Sequence, residues 1–157
     1  MPNSQANLML DQQLCFALYS ASLAMSKTYK PHLDALGLTY PQYLVMLVLW
    51  EHGALSVSDI GERLYLDSGT LTPLLKRLEL SSFVARKRDA EDERRVLVSL
   101  TPEGRQLRKK VHPLPNKMLA ATQCSHQEAM KLAKDLHALR TRLKNPIRKA
   151  TASGPSP

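Results

Sequence analysis

Cysteine is scarce in this chain of 157 residues, which holds only Cys15 and Cys124. So low a number excludes a secreted scaffold built on disulfides, and a zinc site of four cysteines from one chain. Long apolar runs are missing as well. The longest, residues 44–50, falls far short of the ~20 residues that cross a bilayer. Residues 1–10 lack the basic-then-apolar order of a signal peptide, so a cytoplasmic chain with reduced thiols and no membrane partner is expected. There is no glycine-rich phosphate loop, no HExxH and no nucleophile elbow. The five histidines, at positions 32, 52, 112, 126 and 137, have no close metal-ligand spacing. No enzyme in the ordinary sense, no cofactor and no metal are expected.

Acidic residues are outnumbered, 14 against 22 Lys plus Arg, for a net charge of +8. A surplus of this size suits an anionic partner such as nucleic acid. Its distribution is uneven: residues 1–53 carry −1, residues 54–110 carry +3 and residues 111–157 carry +6. Net charge is therefore a poor guide to an interface, and placed residues are the better one.

Apolar residues recur at helical spacing from 11 to 36, with Leu14, Leu18, Ala21 and Met25 on one stripe and Cys15, Tyr19 and Ser22 beside it. Gly37 ends that helix. Thr39 and Pro41 then supply a cap and a first-turn proline for a second helix, to about residue 52. Its sequence, YPQYLVMLVLWEH, is apolar nearly all round and is expected at the centre of the core. Ser56 and Asp59 resemble a capping box before a short third helix over 57–64. The turn Asp67-Ser68-Gly69-Thr70 leads to a fourth helix whose Leu71, Leu74, Leu75 and Leu78 share one face, with Pro73 acceptable in its first turn. Two short helices joined by a tight turn make a helix-turn-helix.

Residues 84–88 and 95–100 read as two strands of a hairpin with a charged tip at 89–94. Thr101-Pro102-Glu103 starts a fifth helix, which Pro113 and Pro115 should kink or interrupt. Ser125 caps a last helix striped with Met130, Ala133, Leu136, Leu139 and Leu143. The expected fold is mainly α with a small β-hairpin, a winged helix-turn-helix flanked by N- and C-terminal dimerisation helices. The expected divisions are 1–36 (first helix), 37–104 (winged module), 105–144 (C-terminal helices) and 145–157 (a disordered tail). Terminal helices with broad apolar stripes exceed what so small a module can cover, and a homodimer is the natural solution.

Opposite its leucines the fourth helix exposes Ser68, Thr70, Thr72, Lys76 and Arg77, short hydroxyls first and cations later. That order suits base-edge hydrogen bonding and phosphate anchoring by an inserted helix. In the hairpin, Arg86 and Arg88 lie on the ascending strand. Arg94, which Asp92 could pair with and orient, is poised to enter a narrow minor groove. Double-stranded DNA is the expected partner, as an inverted repeat with half-sites about one helical turn apart.

The run Asp89-x-x-Asp92-x-Arg94, followed by Val96-x-Val98-x-Leu100-Thr101-x-x-Gly104, resembles the wing signature of the MarR family of bacterial winged-helix repressors. Glu91 departs from it, standing where the family pattern often carries a base. The segments Leu14-Cys15-Phe16-Ala17-Leu18-Tyr19, Tyr29-Lys30-Pro31, Leu36-Gly37-Leu38-Thr39-Tyr40-Pro41-Gln42-Tyr43 and Leu71-Thr72-Pro73-Leu74-Leu75-Lys76-Arg77-Leu78 are similar to the organic hydroperoxide resistance regulators within that family. The likeness runs from about residue 11 to 105 and weakens over the last two helices.

The resemblance implies that Cys15 is a peroxide-reactive thiol, hydrogen-bonded in the reduced dimer by tyrosines matching Tyr29 and Tyr40 on the other subunit. It also implies that Cys124 resolves the oxidised sulfur as a disulfide between subunits, releasing DNA. The chemistry is consistent on these residues. A thiol attacks a peroxide as thiolate, so its pKa must fall below the free value of about 8.5. Tyrosine hydroxyls favour the charged form, and Leu14, Phe16 and Leu18 suit an organic peroxide. Tyr19, four residues on, shares the helical face of Cys15. Two alternatives stand beside this reading: a repressor released by a non-redox small-molecule ligand, and, remotely, a thiol peroxidase.

Overall fold

A computed structural model describes residues 8–145. The expected disordered tail lies outside the described residues except for Asn145, the C-cap of the last helix. In chain order the described elements are α1 (Leu14–Asp34), α2 (Tyr40–His52), β1 (Leu55–Ser56), α3 (Val57–Leu64), α4 (Ser68–Leu80), β2 (Val84–Arg88), β3 (Val96–Leu100), α5 (Pro102–Val111), α6 (Leu114–Thr122) and α7 (His126–Lys144). A 3-10 turn, Leu10–Gln12, precedes α1. The chain divides into two compact units, Met1–Pro115 and Asn116–Pro157. Among the described residues no helix is long and apolar enough to cross a membrane.

The first unit is built around α2. Thr39 caps it through a complete capping box, its hydroxyl accepting from the Gln42 N–H and the Gln42 side chain accepting from the Thr39 N–H, with Pro41 in the first turn. Both devices satisfy donors that a helix start leaves open. As its composition predicts, α2 is the centre of the core: Val45, Met46 and Leu49 are fully buried, with Ile60, Leu71, Leu75, Leu78 and Val98 from the elements around it. The Trp50 indole N–H donates to the Gly104 carbonyl at 2.9 Å, fastening α2 to α5.

Four sequence expectations are corrected. Helix α1 starts at Leu14 rather than residue 11, because residues 10–12 close a 3-10 turn first. The sheet has three strands, in the order β1-β3-β2. The extra strand, β1, pairs Leu55 with Val98 and Ser56 with Leu97, and two residues are too few to leave an alternating pattern. Helix α4 begins at Ser68, so Pro73 is its sixth residue and not in its first turn. Lacking an N–H, Pro73 cannot bond the Gly69 carbonyl one turn back, and that carbonyl is left on an exposed residue. Ser56 caps α3 by accepting from the Asp59 N–H at 3.1 Å, but the Asp59 carboxylate does not complete the box: it turns to Arg95 on the wing, at 3.4 Å.

Gly104 is required by close approach. A Cβ there would collide with the Phe83 carbonyl at the foot of β2. Gly61 has the same role in the helix-turn-helix, where a Cβ would lie 2.7 Å from the Leu66 carbonyl. That carbonyl is brought near because Tyr65, at φ 58°, reverses the chain in the left-handed region, and the Leu66 N–H returns to the Gly61 carbonyl. As Pro113 and Pro115 predict, the helix starting at Pro102 is interrupted: α5 stops at Val111 and α6 begins at Leu114.

In the second unit, Gln123 at φ 59° breaks α6 from α7. Helix α7 starts on a complete capping box, Ser125 with Glu128. The N–H and hydroxyl of Ser125 hold the Glu128 carboxyl below the ordinary range. The stripe read from sequence is uncovered along much of its length: Met130, Leu136 and Leu143 are exposed, Ala133 and Leu139 partly so.

Candidate functional site

Asp67 fixes the start of α4. Its carboxylate accepts from the Thr70 N–H at 2.7 Å, and this bond is the chief reason its carboxyl stays below the ordinary pKa. A charged cap at a helix N-terminus also meets the positive end of the macrodipole. Leu71, Leu75 and Leu78 are buried against the core, which turns the other face outward. Ser68 at the helix start, Thr70, Lys76 and Arg77 are exposed, with Thr72 partly exposed. All five residues singled out by sequence are thus at least partly open to solvent.

The wing is β2, β3 and the tip between them, in antiparallel register with Arg86 opposite Val98 and Arg88 opposite Val96. Arg88 and Arg94 are exposed. Asp92 does organise Arg94, but through the main chain: its carboxylate accepts from the Arg94 N–H at 3.1 Å, and its carbonyl accepts from the Arg95 N–H. An Asx-type turn of this sort fixes the backbone that carries Arg94. Arg86 is differently engaged. Its guanidinium and its N–H both donate to the Glu79 carboxylate, at 3.1 and 3.2 Å. The guanidinium's hydrogen bond is the main cause holding the Glu79 carboxyl below its usual range. Glu79 is not singled out by sequence, and Asp59 reads there only as a capping residue, since an exposed acid on a helix gives no sign of a partner in the later wing.

A second site lies on α1 and α2. Tyr29, on the penultimate turn of α1, meets Tyr40, the first residue of α2, with ring centroids 5.0 Å apart. Tyr43, one turn along α2, completes a triangle at 5.8 Å from Tyr29 and 6.2 Å from Tyr40. In sequence the position of Tyr43 reads as core, and it is indeed 3% exposed. Burial, then the neighbouring Tyr43 and Tyr40, push the Tyr29 hydroxyl up to about 12. Burial also raises Tyr40, and burial with Tyr40 raises Tyr43. All three therefore remain neutral hydrogen-bond donors at physiological pH.

Cys15 is the second residue of α1, exposed, with its thiol free. Tyr19 shares its side of the helix but is 63% exposed and outside the tyrosine triangle. Cys124 is also a free thiol, partly buried between Gln123 and the Ser125 cap, its N–H donating to the Thr122 hydroxyl at 3.2 Å. Among the described residues no group of three or more His, Cys, Asp or Glu side chains is placed to hold a metal.

A family model for the transcriptional regulator SarA/Rot matches residues 27–111. The chain is 49% identical over 139 residues to the organic hydroperoxide resistance transcriptional regulator of Bacillus subtilis (strain 168), covering 88% of this chain and 95% of that one. The chain belongs to the MarR-type winged-helix regulators, among the organic hydroperoxide resistance regulators and their SarA/Rot relatives. This regulator is also 52% identical over 134 residues to the HTH-type transcriptional regulator TtmR of Methylorubrum extorquens (strain PA1), covering 85% of this chain and 69% of that one. Among solved structures it is similar to reduced AbfR bound to DNA, with TM-score 0.75 and 35% identity over 90% of this chain and 99% of that one. Disulfide-formed AbfR, at the same identity, gives a TM-score of 0.59 over 90% and 94%. As the absence of catalytic motifs leads one to expect, the relatives are transcriptional regulators and not enzymes.

Proposed function

We propose that this regulator is a cytoplasmic, homodimeric repressor that binds an inverted-repeat DNA operator and senses organic hydroperoxides through Cys15. The carrying observation is the assembly of Tyr29 and Tyr40, from different helices, into one pair at 5.0 Å with hydroxyls held neutral, in a chain whose α1 presents an exposed thiol. Neutral phenols stabilise a thiolate by donating to it. The Cys15 thiol is free and exposed on its own chain, which suits tyrosines supplied by a second copy. The 49% identity to an organic hydroperoxide resistance regulator supports the same reading.

In the reduced dimer two α4 helices enter successive major grooves through Ser68, Thr70, Thr72, Lys76 and Arg77, while Arg94 enters the flanking minor groove and Arg88 meets phosphate. Arg86, bound by Glu79, serves the interface chiefly by holding the wing to α4. The thiolate of Cys15 attacks the peroxide O–O bond. Its sulfur is oxidised to sulfenic acid, and the peroxide is reduced to an alcohol. The thiolate of Cys124 on the second copy then displaces hydroxide, which leaves as water, and a disulfide forms. Pulling α1 toward the other subunit changes the separation of the recognition helices and releases DNA.

The test is a gel shift titrated with cumene hydroperoxide. The parent protein loses DNA at low peroxide, and Cys15→Ser keeps it. Release of Cys15→Ser by the same peroxide would overturn the proposal, and release of DNA by a compound without redox activity would favour a ligand-responsive repressor.

A further inference from the structure

Tyr43 is the buried member of the tyrosine triangle. Its ring touches both partners, at 5.8 and 6.2 Å, tilted 41° and 49°, while Tyr29 and Tyr40 are partly open to solvent. Its main chain is anchored, the N–H donating to the Thr39 carbonyl at 2.9 Å in the first turn of α2. Tyr29 approaches from another helix, close to Pro31 and the end of α1. The two outer rings thus lean on a third that cannot move without disturbing the core. Tilted packing of this kind has a preferred geometry and resists rotation, so where the outer hydroxyls point is set by the ring beneath them.

We propose that Tyr43 is a positioning residue of the thiol pocket: its ring fixes the directions of the Tyr29 and Tyr40 hydroxyls and so sets how readily Cys15 of a second copy ionises and reacts. The proposal rests on the reading of Cys15 as the peroxide sensor. Tyr43 acts through its two neighbours and not by touching sulfur, so its ring matters and its hydroxyl does not. With the ring removed the hydroxyls lose their fixed aim and the thiolate loses part of its stabilisation. The thiolate is then less favoured, and oxidation at neutral pH slows.

The test compares Tyr43→Leu with Tyr43→Phe by the rate of Cys15 oxidation under cumene hydroperoxide, measured from pH 5 to pH 9. Tyr43→Leu slows oxidation at pH 7 about tenfold, as expected for one weakened hydrogen bond to a charged group. Its pH midpoint moves upward, and Tyr43→Phe restores both rate and midpoint. An unchanged midpoint in Tyr43→Leu, or a defect as large in Tyr43→Phe, overturns the proposal. If Tyr43→Leu fails to fold by circular dichroism, Tyr43→Met is measured in its place. A second readout is independent of Cys15: tyrosinate absorbance in alkali, where loss of the ring brings the highest ionisation down from about 12. A normal tyrosinate shift in a protein whose Cys15 does not respond to peroxide defeats the proposed function and leaves the triangle standing. An absent shift defeats the positioning role.

Discussion

The carboxylate of Glu79, on the last turn of α4, accepts from both the guanidinium and the main-chain N–H of Arg86 on β2, at 3.1 and 3.2 Å. One acid thereby ties α4 to the wing, and a cation that the sequence offers to DNA is turned to internal use. We expect Glu79→Ala and Arg86→Ala each to weaken operator binding several-fold and, combined, to do little more than either alone, since both cut the same link. Neither should change the slope of log affinity against log salt, because neither removes a phosphate contact. A slope reduced by about one in Arg86→Ala would mean that Arg86 reaches phosphate instead.

Lys76 and Arg94 behave differently under this reading. Each carries an exposed charge, one on α4 and one at the wing tip. Lys76→Ala should lower affinity for all sequences alike and reduce the salt slope by about one, the mark of a lost phosphate contact. Arg94→Ala should discriminate among operators according to the width of the flanking minor groove. Fluorescence anisotropy against operators with and without flanking A-tracts measures both.

Gly104 allows α5 to pass against the Phe83 carbonyl. Gly104→Ala would have to push the two elements apart, at a cost of roughly 1–3 kcal/mol by analogy with overpacked cores. The displacement would also strain the bond from Trp50 to the Gly104 carbonyl. We expect a lower melting temperature and a shifted tryptophan emission in the same variant.

The tyrosine triangle makes a prediction about alkaline stability. Tyr29 ionises at about 12 when folded but near the ordinary value of about 10 when unfolded. Between those values the unfolded chain has lost a proton that the folded chain keeps. Stability therefore falls as pH rises from about 10 to 12, and is unaffected by this group below that window. Urea unfolding at pH 9 and pH 11 checks the sign, and Tyr29→Phe should flatten the fall.

Much of the DNA-binding module was legible because its signals are local. Caps, first-turn prolines and a 3.6-residue period lie within a few residues of the element they define, and Thr39, Ser56, Thr101 and Ser125 all cap helices as read. The outward residues of α4 follow from the same period. Less legible were the links between elements distant in sequence: Asp59 with Arg95, Glu79 with Arg86, and Tyr43 beneath Tyr29. A charged or aromatic residue on a helix carries no mark of the partner that folding brings to it. The two-residue β1 left no period to detect, and Pro73 was misplaced because the turn before α4 is itself its first turn.

The uncovered apolar face of α7 bears on the proposed dimer. Met130, Leu132, Leu136 and Leu143 are 53, 58, 38 and 71% exposed, and large apolar side chains left together to water mark an interaction surface. Leu136→Glu, with Leu143→Glu, should convert a dimer to monomers in analytical ultracentrifugation and abolish high-affinity operator binding. The far-UV spectrum should keep its helical form.

The central claim is that oxidation of Cys15, captured by Cys124 of the second subunit, is what removes the protein from DNA. It is tested most directly by treating operator-bound protein with cumene hydroperoxide and running each sample on both a native gel and a non-reducing denaturing gel. DNA release and a covalent dimer should then rise together, reverse together with dithiothreitol, and both fail in Cys15→Ser, while Cys124→Ser loses the covalent dimer. Release of DNA by the parent protein with no covalent dimer formed would contradict it.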